Sequence, residues 1–86
     1  MAQAQRFTFD DLKQILVGRI GVPESDVVDD PHLSFEDIGL DSLAFVEIQL
    51  ALQQQYGFLI PDEDGSQITT LREAIDYTNR RLAEQD

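Results

Sequence analysis

The stretch from Ser42 to Tyr56 constrains the fold most, because nine of its fifteen residues are apolar and they form more than one stripe. The first stripe, at the three- and four-residue steps of one helix face, comprises Phe45, Ile48, Leu52 and Tyr56. The second stripe, rotated away from the first, comprises Leu43, Val46 and Leu50. A helix on the surface of a bundle needs a single apolar face. This helix is therefore either buried on all sides or presents its second stripe to a partner.

A first helix is predicted to begin after Thr8, because the acid Asp11 follows three residues later in a variant of the capping box. Apolar residues at helical spacing follow, and Gly21 and then Pro23 end the run. The connection over residues 21–41 is long for so small a chain. An ordered loop of this length usually serves a function.

Two further helices are predicted in the last third of the chain. Pro61 suits the first position of a short third helix. The last helix is predicted to begin after Thr70, with Glu73 completing a capping box. Its apolar stripe comprises Leu71, Ala74, Ile75, Thr78 and Leu82. Since no segment alternates with period two, the predicted fold is all-α: a small four-helix bundle of three main helices and one short helix, with a long loop between the first and second helices.

The 86 residues suit one domain spanning residues 1–86, with frayed ends at residues 1–6 and 84–86. We expect a free-standing protein, because the chain begins and ends within about one bundle. The polar N-terminus is unlike a secretion signal, and no run approaches the roughly 18 apolar residues of a membrane span, so a cytoplasmic location is predicted. With no Cys and one His, no disulfide and no metal site is expected.

The charge of the chain is strongly negative and unevenly placed. Six basic residues oppose seventeen acidic ones, for a net charge of −11. Residues 22–64 hold eleven of the acids and no Lys or Arg. Such a surface repels nucleic acids and anionic lipids and attracts basic partners. Nucleic-acid and membrane binding are therefore not expected, which leaves a solubilising surface or a docking surface for basic proteins.

Ser42 stands at the start of the second helix, with Asp41 as a good N-cap. The unpaired N–H groups and the positive dipole end of a helix N-terminus would tolerate a phosphate ester on this serine. A hydrolase nucleophile is not supported, because the G-x-S-x-G elbow is absent and the single candidate base, His32, lies in the loop. A calcium loop over residues 60–71 is excluded, since its first and last positions lack carboxylates.

The run from Phe35 to Leu43, FEDIGLDSL, and the helix that follows it to end in QYG resemble the acyl carrier proteins of fatty acid and polyketide synthesis. Residues 60–64, 68–71 and 74–77 are similar to the third and fourth helices of that family. The tripeptide Asp-Ser-Leu alone is a weak signal. All these elements in order, over nearly the whole of an acidic chain without Cys, are a strong one.

The resemblance implies that Ser42 carries 4′-phosphopantetheine, transferred from coenzyme A by a separate phosphopantetheinyl transferase that Asp41 helps to dock. The thiol of this arm would hold acyl groups as thioesters, so the protein would be a carrier and not an enzyme. The implied partners are ketosynthase, acyltransferase and other synthase enzymes with basic docking patches. The residues expected to meet them are Leu43, Val46, Glu47, Leu50, Glu36 and Asp37.

The pairs Gly39-Leu40 and Ala44-Phe45 are closer to carriers of polyketide biosynthesis, including that of antibiotics, and residues 53–55 lack the acids usual in fatty acid carriers. A polyketide carrier, acting as a monomer, is therefore the leading hypothesis. A fatty acid carrier is the alternative, and a peptidyl carrier ranks below it. From a different class, an acidic helical interaction module without a prosthetic group also stays open.

Overall fold

The computed structural model describes residues 6–84, and within them the fold consists of four α-helices. Their bounds are Phe9–Ile15 for α1, Ser42–Tyr56 for α2, Asp62–Gly65 for α3 and Leu71–Glu84 for α4. The long loop between the first and second helices contains two short 3₁₀ turns, Glu24–Asp26 and Glu36–Ile38. The predicted all-α bundle of three main helices and one short helix is confirmed. Most of the residues predicted to fray, 1–5 and 85–86, lie outside the described residues.

The start of α1 is the capping box that the sequence predicts. The hydroxyl of Thr8 accepts the Asp11 N–H at 3.1 Å, and the Asp11 carboxylate accepts the Thr8 N–H at 3.0 Å. Beyond α1 the helix widens into a π-helical segment, Leu16–Ile20, which the sequence did not predict. It ends at Gly21, whose φ of +95° lies in the left-handed region that favours glycine.

In the capping box of α4, the acid accepts more hydrogen bonds than the acid in the capping box of α1 does. The hydroxyl of Thr70 accepts the Glu73 N–H at 3.1 Å, and Glu73 Oε1 accepts the N–H groups of Thr69 and Thr70 at 2.8 and 3.1 Å. The Thr69 hydroxyl donates to the same oxygen at 2.9 Å. These bonds, the one from the Thr69 N–H foremost, stabilise the carboxylate and lower the pKa of Glu73.

The third helix begins one residue later than expected. Pro61 has an extended ψ of 149° and is the N-cap of α3, whereas the sequence analysis placed it at the first helical position. The helix is anchored to α4 through Tyr77, whose hydroxyl donates to Asp64 Oδ2 at 2.7 Å. Burial is the first cause that raises the pKa of Tyr77, and this bond to Asp64 adds to it. Arg81 completes the anchor by donating to the Tyr77 hydroxyl at 2.8 Å and to the Leu59 carbonyl at 2.9 Å.

One hydrophobic core lies between the helices. The whole predicted stripe of α4 is buried, and in α2 Ile48 and Leu52 are buried while Phe45 and Tyr56 pack against the core from its edge. The loop contributes Val27 and Phe35 to the same core. None of the helices in residues 6–84 is long and apolar enough to cross a membrane.

Two pairs of hydrogen bonds close the bundle across long stretches of sequence. Phe35 N–H donates to the Thr69 carbonyl at 3.0 Å, and Leu71 N–H donates to the Leu33 carbonyl at 3.1 Å, so the loop is tied to the start of α4. The carboxamide of Asn79 accepts the Phe7 N–H at 2.7 Å and donates to the Phe7 carbonyl at 2.9 Å. These bonds fix the residues just before α1 to the side of α4.

Replacing Glu73 by Gln should lower the free energy of unfolding at neutral pH by about 0.5 kcal/mol, a value kept small by solvent exposure. Because folding lowers the pKa of Glu73, the carboxylate stabilises the fold above its unfolded pKa, and this contribution is lost as the pH falls through its folded pKa. Urea unfolding of both proteins at about pH 7 and about pH 3 should show the difference vanish in acid. Asp76→Asn, at an exposed acid of the same helix, is the control, and a difference that is constant with pH would contradict the assignment.

Candidate functional site

Ser42 is the first residue of α2 and is exposed to solvent. The predicted cap is present: the Ala44 N–H donates to Asp41 Oδ1 at 2.9 Å. Immediately before it, Gly39 adopts a φ of +80°, and the Leu40 N–H donates to the Phe35 carbonyl at 3.0 Å. The turn that ends the long loop therefore fixes where α2 begins and leaves the serine facing outward.

The two acids of the preceding 3₁₀ turn have different surroundings. The Asp37 carboxylate accepts the Ser34 N–H at 3.1 Å, and the Ser34 hydroxyl accepts the Asp37 N–H at 3.0 Å. This reciprocal pair has the form of a capping box and shapes the turn itself. Asp37 thus has a structural bond in addition to the partner role expected of it, whereas Glu36 lies exposed at the edge of a cleft.

The second apolar stripe of α2 faces solvent. Leu43, Val46 and Leu50 are exposed to 76%, 48% and 40% of their surface. The alternative that this helix is buried on all sides is therefore wrong. Single exposed apolar residues are ordinary, but three in line on one helix face form a surface suited to another protein. We call Leu43, Val46 and Leu50 the exposed stripe.

Glu47, beside this stripe, already has a partner within the chain. Its Oε2 lies 3.6 Å from Nε of Arg19, whose guanidinium also donates to Oε1 of Gln54 at 2.9 Å. Arg19 belongs to the π-helical segment and with Leu43 lines a groove of about 480 Å³ along α2. The sequence analysis did not identify Arg19. Its nearness to Glu47 depends on how the first helix packs on α2, which no local pattern encodes.

On the other side of Ser42 a cleft of about 580 Å³ opens between α2, α3 and the ends of the loops. Ser42 lines it together with apolar side chains, among them Phe45, whose ring lies 5.6 Å from that of Phe35 at a tilt of 58°. The polar residues of the lining are Ser34, Glu36, Asp41, Gln49, Asp62, Ser66 and Thr69. An apolar floor with a polar rim suits a long, partly polar ligand.

Gly65 leaves room for the amide end of Gln49 between α3 and α2. A Cβ at this position would lie 2.9 Å from Nε2 of Gln49 and 3.4 Å from the ring of Phe45. A side chain here would therefore displace the flexible amide end of Gln49 and leave Phe45 at an ordinary contact distance. This requirement was not predicted, because the contact joins residues of different helices.

The arrangement leaves Ser42 without His32 as a base and without a metal ion held by residues 6–84. His32, the one candidate base in the sequence, is exposed and is not among the residues that line the cleft of Ser42. Across residues 6–84, no cluster of three or more His, Asp or Glu side chains could hold a metal ion. What remains is an exposed serine hydroxyl at a helix start, between a cleft and an apolar stripe.

Comparison with known proteins accounts for this arrangement. A family model described as "Phosphopantetheine attachment site" matches residues 10–78. The 3,5-dioxohexyl acyl carrier protein of the actinorhodin polyketide synthase of Streptomyces coelicolor is 41% identical, over 98% of this chain and 100% of that chain, with a TM-score of 0.82. The chain belongs to the acyl carrier protein family. The actinorhodin holo acyl carrier protein of the same organism is also 41% identical, over 98% of this chain and 100% of that one, with a TM-score of 0.81.

Several expectations are thereby confirmed. This acyl carrier protein takes a covalently attached phosphopantetheine, and it acts as a carrier and not as a catalyst. As a member of the family it interacts with synthase enzymes and with a phosphopantetheinyl transferase. The interaction module without a prosthetic group is set aside by the same match.

Replacing Asp41 by Ala should lower the free energy of unfolding by about 1 kcal/mol, because the N–H of Ala44 loses its acceptor. Asp41→Asn should retain most of the stability, since an amide oxygen can accept the same bond. Urea unfolding of the two variants beside the wild type measures both effects. Equal losses in the two variants would show that the charge of Asp41, and not its cap, supports the helix.

Proposed function

We propose that this acyl carrier protein holds polyketide intermediates as thioesters on 4′-phosphopantetheine attached to Oγ of Ser42, and that it works as a cytoplasmic monomer. The observation that carries the proposal is the position of Ser42, exposed at the start of α2 and at the mouth of the cleft. When bound, the group supplies the thiol that a chain without Cys lacks. No other serine of the chain combines these features with the Asp-Ser-Leu context.

The first turn of α2 suits a phosphodiester on Ser42. Asp41 uses its carboxylate to cap the N–H of Ala44, and within residues 6–84 the N–H groups of Ser42 and Leu43 have no partner. Together with the positive end of the helix dipole, these groups favour a negative charge by roughly 0.3–1 kcal/mol. Since no side chain of residues 6–84 accepts a hydrogen bond from the Ser42 hydroxyl, the transferase has to take its proton.

Two observations support a polyketide pathway over a fatty acid pathway. The similar solved structures named above are polyketide synthase carriers matched over nearly the whole chain. Of the hydroxyl groups that line the cleft beside its apolar floor, those of Ser66 and Thr69 already donate to the Glu63 carbonyl and to Glu73, whereas that of Ser34 donates to no group within residues 6–84. The Ser34 hydroxyl can donate to a keto group of a polyketide, whereas an alkyl chain offers it no acceptor. The fatty acid carrier remains the alternative.

The proposed partner face is the exposed stripe together with Glu47, Glu36 and Asp37. An apolar strip bordered by acids fits a partner that presents apolar side chains within a basic patch. Asp41, next to the attachment serine, is proposed to meet the basic residues of the transferase. Arg19 is the exception on this face. It lies beside Glu47, and its positive charge would repel the basic patch that Glu47 attracts.

Incubation of the wild-type protein with coenzyme A and a promiscuous phosphopantetheinyl transferase should add one phosphopantetheine, as seen in the intact mass. Ser42→Ala should gain no mass and keep the helical circular dichroism of the wild type, because Ser42 is exposed and makes no core contact. Ser25→Ala, at another exposed serine, should be modified normally. An adduct on the Ser42→Ala protein would contradict the assigned attachment site.

The same transferase tests the electrostatics of the partner face. Arg19→Gln should raise kcat/KM for modification roughly two-fold at low salt, and Glu47→Gln should lower it by a similar factor, since rim charges act mainly on association. Asp41→Asn, which keeps the helix cap, should also lower it. All three effects should fade at high salt.

Lys13→Gln is the matched control for Arg19→Gln. The substitution also removes one positive charge near the N-terminal end of the chain. The Lys13 ammonium, however, lies 3.7 Å from Oε1 of Glu24 and not beside Glu47. An equal gain in both variants would mean that net charge, and not the position of Arg19, governs association.

A further inference from the structure

Gln49 differs from the other glutamines of α2 in its surroundings. Gln53, Gln54 and Gln55 are exposed, and Gln54 is bound to Arg19. Gln49 is half-buried and lines the cleft that begins at Ser42. Seven residues separate the two positions, which corresponds to about two turns and about 10 Å along the helix. Gln49 and Ser42 therefore lie on the same side of α2, one deeper in the cleft than the other.

The carboxamide of Gln49 lies beside Gly65. Its Nε2 lies 2.9 Å from where a Cβ of residue 65 would be, and the ring of Phe45 and a methyl group of Ile60 lie 3.4 and 3.8 Å from that same point. The amide therefore occupies the space that Gly65 leaves open.

Within residues 6–84 this carboxamide makes no hydrogen bond to the protein. The side chain–side chain and side chain–backbone bonds of α2 are those of Asp41 to Ala44 and of Gln54 to Arg19. The nitrogen and oxygen of this amide stay open to solvent, so a group that enters the cleft would replace water as their partner. It offers two N–H donors and a carbonyl acceptor to whatever enters the cleft.

We propose that Nε2 of Gln49 donates a hydrogen bond to a carbonyl oxygen of the group carried on Ser42. The inference rests on the proposed attachment at Ser42. Such a carbonyl has two sources, the amides of the phosphopantetheine arm and the keto groups of the chain it carries, and both offer the same acceptor. Gly65 is then a positioning residue, because any side chain there displaces the amide of Gln49.

The experiment uses the full chain labelled with ¹⁵N and loaded by the transferase with three groups in turn. These are phosphopantetheine alone, a butyl analogue and a 3-oxobutyl analogue, and intact mass verifies each adduct on Ser42. The side-chain NH₂ signals of Gln49 are followed by NMR. The methyl signals of Ile68, which line the cleft, report how much of the carried group is sheltered there.

A shift of the Gln49 NH₂ signals on loading with phosphopantetheine alone identifies an amide of the arm as acceptor. A shift that appears only with the 3-oxobutyl group identifies the keto oxygen. In either case Gln49→Met, which keeps the length of the side chain and removes the amide, should reduce the sheltered fraction of that group roughly five-fold, the equivalent of one ordinary hydrogen bond. Gln53→Met, on the exposed side of the same helix, should leave it unchanged.

Gly65→Ala gives an independent check, since it retains the amide of Gln49 and displaces it, and it should also reduce the sheltered fraction. If the mass shows loading but the Gln49 NH₂ signals stay unchanged with all three groups, the inference is overturned and the proposed function stands. If no adduct forms on a folded protein, the attachment at Ser42 fails first and the inference falls with it.

Discussion

The position of Ser42 depends on two backbone hydrogen bonds between residues 33–35 and residues 69–71. Through them, a long loop with little regular structure is tied to the start of α4. Phe35 is thereby held in the core, and the turn built on Phe35 sets the first residue of α2. A flexible loop in its place would leave Ser42 without a defined position, because loops are more mobile than the elements they connect.

The α2 helix borders three different surroundings. In α2, Ile48 and Leu52 supply the core, Phe45 and Gln49 form a wall of the cleft, and the exposed stripe faces solvent. This explains why its apolar residues are not confined to one side, as they are in α4. Under the proposed function, a single helix of this 86-residue chain supplies part of the core, part of the wall beside the carried group and part of the partner face.

The sequence allowed correct prediction of what depends on neighbouring residues. The capping boxes at Thr8 and Thr70, the cap at Asp41 and the end of α2 at Gly57 all follow from local hydrogen bonds and from backbone preferences. The features that were missed join distant parts of the chain. Arg19 meets Glu47 only because the π-helical segment packs on α2, and Gln49 meets Gly65 only because α3 folds back onto it. Pattern and spacing carry no information about such pairs, and the role of the exposed stripe stays a prediction.

The hydrogen bonds between Phe7 and Asn79 determine when the bundle can close during synthesis. They join residues 72 positions apart, so nearly all of the chain has to be synthesised before the contact can form. Contacts of such large separation close slowly, because the entropy of a long connecting segment is lost before the contact contributes. On the ribosome, α1 and α2 emerge well before α4, and the bundle stays open along the α4 side until the last helix is released. Until then the shared core lacks the apolar residues of α4, which places the interval most open to misassociation near the end of synthesis.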